Sequence, residues 1–408
     1  MDGTKRETVL EPAPVSVTGT RQKTVTDPAT GVTYTPLSPP RYRELQHASN
    51  EIKHQDGPGA QIEKKSHHHP QLSSNRSHHS ELTMPRDCLA FRLATHDDFA
   101  GVVAMSEGVY GGLDYLPSHY HAFIDDPQRL VVLAELDCQI VGLSSAFIVD
   151  GGEVYIEKAL RVAESCRGLG ISRRLTEHVD RLVRSHFPTV ERKRKLVADA
   201  GKIESLKKKG MEVVCRLPTT TFVDEPNSRG SQSACAIRAA NNIFGTIENN
   251  LPTLPEIRRL HANDMPSVLR PEVSRKLLTN GLMSGRWDAL NFCEENFLYL
   301  FNNGFSLFAD DTEPFVESFS FGKCFQVPSG LQYFVDLHAS EERHVKAHLF
   351  KHFAEMCRCD TELPIYLTVS VAEEAMVEAV ETFCSEVLCL RPFDLCHDSL
   401  GVVVEGKL

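Results

Sequence analysis

Read for the alternation of apolar and polar positions, the chain predicts its first regular element near residue 88. "CLAFRLAT" alternates as a strand does, and in "THDDFAGVVAMSEGVY" Thr95 precedes two acids and then apolar residues at helical spacing. "RLVVLAELD" and "QIVGLSSAFIVDGGEVYIEKALRV" predict three more strands, turned at Asp137-Cys138 and at Asp150-Gly151-Gly152. A helix follows from Ile171 to about His186, stopped by Pro188. After it come a strand "KRKLVADA", a short helix "KIESLKKKG" closed by Gly210, and a strand "MEVVCRL". This order predicts a mixed α/β sheet forming one complete domain over residues 88–224.

Residues 251–408 predict a second α/β domain. It begins helically, and "NFLYLFNNGFSLFADD" predicts two apolar strands joined at Asn302-Asn303-Gly304. Then come a strand "LQYFVDLHA", a helix Ser340 to Cys357, a strand "LPIYLTVSV", a helix Ala372 to Ser385, and a pair "PFDLC" and "GVVVE". The β-α-β-α-β order echoes the first domain, so the second reads as its degenerate copy. Residues 225–250, with "DEPNSRGSQS", read as a linker.

Residues 1–87 read as a disordered tail. They hold nine of the 22 prolines and seven of the 18 histidines but no Phe, Trp or Cys, too little apolar surface to offset the entropy of ordering. The tract His67 to His79 resembles a chelator, yet such runs are usually incidental, and no metal is expected.

Composition narrows the function. An apolar content of 41% and a charged content of 24% are globular values, and a formal charge of −11 argues against a general nucleic-acid binder. Twelve cysteines stand mostly singly, which predicts reduced thiols and a cytoplasmic setting. No apolar run is long enough for a membrane span.

The candidate chemistry lies in "ESCRGLGISRRL", where a strand feeds a helix through Gly168 and Gly170. Glycine tolerates positive φ and lets backbone amides crowd round a ligand, and the positive end of a helix dipole favours phosphate oxygens. The predicted ligand is a pyrophosphate. A Walker loop is excluded because no Gly-Lys-Ser/Thr closes the stretch, and a dinucleotide fingerprint because a third glycine is missing. The matching stretch of the second half, "LHASEERH", has no glycine and two glutamates, so it should repel an anion.

At these residues the chain resembles the GNAT superfamily of acetyl-CoA-dependent N-acyltransferases, whose turn reads R/Q-x-x-G-x-G/A; here it is Arg167-Gly168-Leu169-Gly170-Ile171-Ser172, with Ser172 in the last place. "EGVYGGLDYLPSHYHAF" is similar to a segment of the histidine N-acetyltransferase group. The resemblance implies a GNAT acyltransferase fold, then a degenerate GNAT-like domain without a coenzyme loop. It implies transfer of acetyl from acetyl-CoA to the α-amine of a small-molecule substrate, a free amino acid and foremost L-histidine. A protein lysine or N-terminal amine as acceptor, or a domain that binds acetyl-CoA without turnover, are the alternatives. Leu160, Arg161 and Val162 with the turn Arg167 to Ser172 and Arg173 are the implied coenzyme contacts. Tyr110, Asp114, Tyr115, His119 and Tyr120 are the implied acceptor contacts. The strand position where many members carry a basic glutamate is Lys158, which leaves Glu157 as the candidate base, on the opposite face of the sheet unless a bulge restores it. Leu206 stands where many members offer a tyrosine to the leaving thiolate.

Overall fold

A computed structural model describes residues 25–26, 33–34, 89–197, 199–224, 254–278, 281–285, 288–359, 363–394 and 400–408, those at 25–26, 33–34, 284–285 and 400 by backbone alone. The expected disordered tail, its histidine tract and the expected linker lie outside the described residues, except that Val25–Thr26 pairs with Thr33–Tyr34 in a short ribbon that belongs to a unit of its own.

From residue 89 the predicted elements of the first half all form. They are β1 (Leu89–Leu93), α1 (Phe99–Met105), α2 (Leu116–Asp125), β2 (Arg129–Leu136), β3 (Gln139–Val149), β4 (Val154–Val162), α3 (Ile171–His186), β5 (Arg192–Val197), α4 (Ala200–Lys207) and β6 (Glu212–Asp224). Local chemistry fixes their ends. Thr95 and Asp98 form a capping box ahead of α1, and the Asp199 carboxylate accepts the Lys202 amide at 2.7 Å to start α4. The apolar stripe Ile171, Leu175, Val179 and Val183, four residues apart, is buried and fixes the face that α3 turns to the sheet.

The second half continues with β7 (Ile257–Arg259), α5 (Met265–Val268), α6 (Pro271–Leu277), β8 (Leu282–Gly285), β9 (Asp288–Asn291), α7 (Glu294–Asn302), β10 (Ser306–Asp310), β11 (Ser318–Val327), β12 (Gly330–Ala339), α8 (Glu342–Met356), β13 (Ile365–Val371), α9 (Val377–Thr382), the two-residue β14 (Arg391–Pro392) and β15 (Leu400–Lys407). Three expectations need correcting. "NFLYLFN" is not a strand but helix α7, because Phe297 and Leu300 recur at helical spacing into the core and two acids open its first turn. β11 was not foreseen, since Gly322 and Lys323 interrupt its apolar run. The last predicted helix is shorter, and its C-terminal turn widens into a π turn over Phe383–Val387.

One sheet joins the halves, in the order β1-β2-β3-β4-β5-β15-β6-β13-β12-β11-β10-β7, with β14 also on β6. The last strand of the chain thus inserts antiparallel between β5 and β6, while the far end of β6 pairs with β13. Val402, Val403 and Val404 bury their side chains there, each contributing about 1.5–3 kcal/mol. α3 covers Leu130, Val132, Ala146 and Tyr155 on one face of the first half's sheet. α1 and α2 cover Val131, Leu133 and Leu143 on the other, and helices α5 to α7 of the second half extend that cover over Phe147, Val154 and Ile156.

Candidate active site

β4 and β5 run parallel only from Val154↔Arg192 to Glu157↔Lys195. Beyond that pair they part, and from Leu160 to Val162 β4 has no ladder partner on that side among the described residues. The glycine turn lies at the end of the diverging strand. Gly168 has φ +82° and Gly170 φ +74°, and Gly170 is the N-cap of α3. A Cβ at either position would meet open space, so the conformation, not crowding by the protein, demands glycine. Among the described residues, the amides of Gly168 through Arg173 donate to no backbone carbonyl, and the first amide satisfied is that of Arg174, on Gly170. These donors at a helix N-terminus, with exposed Arg167 and Arg173 beside them, fit an anion such as a diphosphate.

A bulge in β4 sets which side chains face α1 and α2. Leu143 pairs with Arg161 and Ser145 with Lys158, so β3 spends two residues where β4 spends three, and Ala159 takes φ +57°. Lys158 and Arg161 therefore point to the same face, the one covered by α1 and α2. Glu157 precedes the bulge and points the other way, toward α3. There its carboxylate accepts the Thr176 hydroxyl at 2.6 Å and meets the ammoniums of Lys193, at 3.0 Å, and Lys195. Burial alone would raise its pKa, but the two ammoniums outweigh this and hold the carboxyl below its usual range. The bulge does not restore Glu157 to the face of Lys158 and Arg161, because it comes one residue too late. A carboxylate pinned between two lysines on the wrong face is poorly suited to take a proton from an amine.

The expected acceptor residues divide. Asp114 is buried, and both its oxygens are engaged: Arg161 donates to them at 2.6 and 3.2 Å and the Leu116 amide at 3.0 Å. This ion pair ties the Tyr110–Tyr115 segment to β4, making Asp114 a positioning group rather than an open contact. Tyr110 is 50% exposed, at φ +54°, and its ring stacks on that of buried Tyr115. The ammonium of Lys158 lies 5.6 Å from the Tyr115 ring centre. His119 packs edge-on against Phe325 of the second half. Tyr120 is fully buried and donates to the Thr95 carbonyl at 2.7 Å, so it anchors α2 and is not a site residue. Leu206 packs with Ile203 and Met211 beside Val404, leaving no hydroxyl at that place.

The second half supplies a wall that no local pattern announced. The β8–β9 hairpin packs Leu282 and Ala289 on Cys215, Leu217 and Val403 of the sheet. Arg194 of β5 donates to the Ala289 carbonyl at 2.7 Å and to Asn291 at 3.0 Å, and meets Asp150 at 2.7 Å. Asp150 in turn accepts the Asn291 amide and the Asn296 side chain, so the turn read as Asp-Gly-Gly is a hub between the halves. Lys158 closes the wall with Asp288 at 2.6 Å. Ser329, in the turn between β11 and β12, donates from its amide and hydroxyl to the Gly112 carbonyl, fixing the loop that carries Tyr110. Signals for Asp150, Asp288 and Ser329 are absent from the sequence because their partners are more than a hundred residues away.

Residues 102–196 match the acetyltransferase (GNAT) family and residues 253–371 the histidine N-acetyltransferase, C-terminal family. A histidine N-acetyltransferase of Xenopus tropicalis is 45% identical over 101 residues, 25% of this chain and 31% of that protein. The human "Probable N-acetyltransferase 16" is 31% identical over 216 residues, 53% of this chain and 57% of that protein. The chain thus covers less than two thirds of these relatives' own length. Among solved structures, a tandem GNAT protein from the clavulanic acid biosynthesis pathway aligns with TM-score 0.46 and 13% identity over 78% of this chain and 98% of that one. Residues 102–196 are thus similar to the GNAT acetyltransferase family, and residues 253–371 to the histidine N-acetyltransferase C-terminal family.

Proposed function

We propose that this chain transfers the acetyl group of acetyl-CoA to the α-amine of a free amino acid, L-histidine foremost. The observation that carries the reading is the turn Gly168 to Arg173, whose amides find no backbone acceptor where β4 and β5 part. The coenzyme diphosphate sits on those amides, and the thioester lies along β4, whose backbone from Leu160 to Val162 faces the carbonyl oxygen that gains charge as the amine attacks. The histidine assignment draws on the relatives' names and on the aromatic wall of Tyr110, Tyr115 and His119.

No nucleophilic side chain is required, since the amine attacks the thioester directly. An α-ammonium gives up its proton more readily than a lysine side chain, so deprotonating it at pH 7 costs less, and water can carry the proton away without Glu157. With Leu206 in the tyrosine's place, the thiolate leaves into solvent and is protonated there. Cytosolic residence belongs to the proposal and rests on the scattered single cysteines.

The test is thiol release from acetyl-CoA by the purified chain with each common amino acid, with mass spectrometry of the product. N-acetylhistidine should dominate. Coenzyme binding without turnover on any amino acid would overturn the reading.

A further inference from the structure

Two cysteines far apart in the sequence of the second half meet between β11 and the end of α8. Ser318, Ser320, Gly322 and Cys324 alternate along β11, and the ladder with β12 is unbroken through them, so all four share one face, the face turned to α8. The contacts follow that register. Ser318 Oγ lies 2.9 Å from His348 Nε2, and Ser320 Oγ lies 2.7 Å from His348 Nδ1 and 2.9 Å from His352 Nε2. A Cβ on Gly322 would come within 2.9 Å of the His352 ring. Further on, Cys324 is about 13 Å along the strand from Ser320, and Cys359, whose amide closes the turn after α8 on the Met356 carbonyl, is about 10 Å along the helix direction from His352. The two thiols meet there. Cys324 donates a hydrogen bond to the Cys359 sulfur, and both side chains pack on one core cluster. Neither is fully buried, as Cys215 and Cys384 are.

That hydrogen bond holds the Cys359 thiol down to about 7 against the opposing effect of burial, whereas burial pushes Cys215 and Cys293 up to about 11. Near neutral pH Cys359 is therefore a good nucleophile with a second sulfur in contact. We propose that Cys324 and Cys359 are a reversible oxidation site, which a small-molecule disulfide closes into an intrachain disulfide clasping β11 to the end of α8. The Cys359 thiolate attacks one sulfur of the small disulfide and expels one small thiolate. Cys324 then gives its proton to solvent and attacks the Cys359 sulfur, expelling the second. Two protein thiols are oxidised, one small disulfide is reduced to two thiols, and excess thiol reverses the exchange. The clasp reaches beyond the second half, because Phe325, next to Cys324 on the opposite face of β11, packs edge-on against His119 of α2 with ring centres 5.1 Å apart.

The experiment holds the full, reduced chain in oxidised glutathione near neutral pH, then maps its cysteines by differential alkylation and peptide mass spectrometry. A Cys324–Cys359 crosslink should form and should be undone by dithiothreitol. Because the bond closes a loop between positions 35 residues apart, it should raise the thermal unfolding midpoint by at least about 3 °C. In the Cys324→Ser variant the reaction should stop with glutathione held on Cys359. In Cys359→Ser, Cys324 should stay reduced and the midpoint should not move. Exposed Cys138 and Cys389 show in the same map that the oxidant is active. Both Cys324 and Cys359 still reduced after those two have reacted would overturn the proposal, as would glutathione retained on Cys359 of the unaltered chain. A crosslink that leaves the midpoint unmoved would overturn the clasp.

Discussion

Two strand-to-helix crossings occupy matching places in the two halves, and they differ in almost every respect that matters to a ligand. In the first, β4 and β5 hold four paired positions and then diverge, and the turn beyond uses two glycines at positive φ. In the second, β12 and β13 stay paired from Leu331↔Ile365 to Leu337↔Val371, and the Ala372 amide still reaches the Leu337 carbonyl at 3.1 Å. The helix that follows opens with Glu341 and Glu342, each ion-paired to a neighbouring base. One crossing leaves its amides without backbone acceptors among the described residues; the other uses its hydrogen bonds to stay shut and presents carboxylates. The same topology is thus open at one crossing and closed at the other, and a few residues at the crossing decide which.

If that contrast is right, the closed crossing should carry stability. Leu337→Ala, at a position 1% exposed in the core between β12 and α8, should lower unfolding free energy by about 2–5 kcal/mol in denaturant titration, with coenzyme affinity at permissive temperature within about threefold of the parent. A large fall in affinity without loss of stability would break the comparison. At the open crossing, Glu157→Gln removes an anion held by two ammoniums and should cost about 1–3 kcal/mol of stability. Its acetyl-transfer rate at pH 7 should stay within about threefold, whereas collapse of the rate in a fully stable variant would return the base role to Glu157.

A smaller effect comes from the histidines that fill the closed half. His348 bridges Ser318 and Ser320 at 2.9 and 2.7 Å, and Ser320 links on to His352. Burial pushes His338 and His348 down to about 3, so both are neutral in the fold. The unfolded chain takes up their protons below about 6.5, the folded chain only near 3, so stability drains away as pH falls through that window. Each such histidine should remove about 1.4 kcal/mol per pH unit below 6.5, read as the pH dependence of the denaturation midpoint. Stability flat from pH 6.5 to 5 would contradict neutral, buried rings.

The sequence carried the first half well and the second less so. Periodicity located the strands from Leu89 to Asp224 and the glycine turn because those signals are local. It could not reveal that β15 would leave the second half to lie between β5 and β6, since a valine run carries no address. The same limit governs the site. Gly168 and Gly170 announce themselves by type and spacing, while Asp288 acquires meaning only when a hairpin from far along the chain lies over Lys158. The face that Glu157 takes is decided by a bulge at Ala159 that no residue type marks, since alanine seldom takes positive φ.

The comparison between the crossings is tested most directly by calorimetric titration of the full chain with acetyl-CoA, beside the Gly170→Glu variant. One coenzyme should bind per chain, and the variant, forced into positive φ and carrying a negative charge to the phosphates, should lose at least about a hundredfold in affinity. Two coenzymes per chain, or a Gly170→Glu variant that binds as the parent does, would contradict the account.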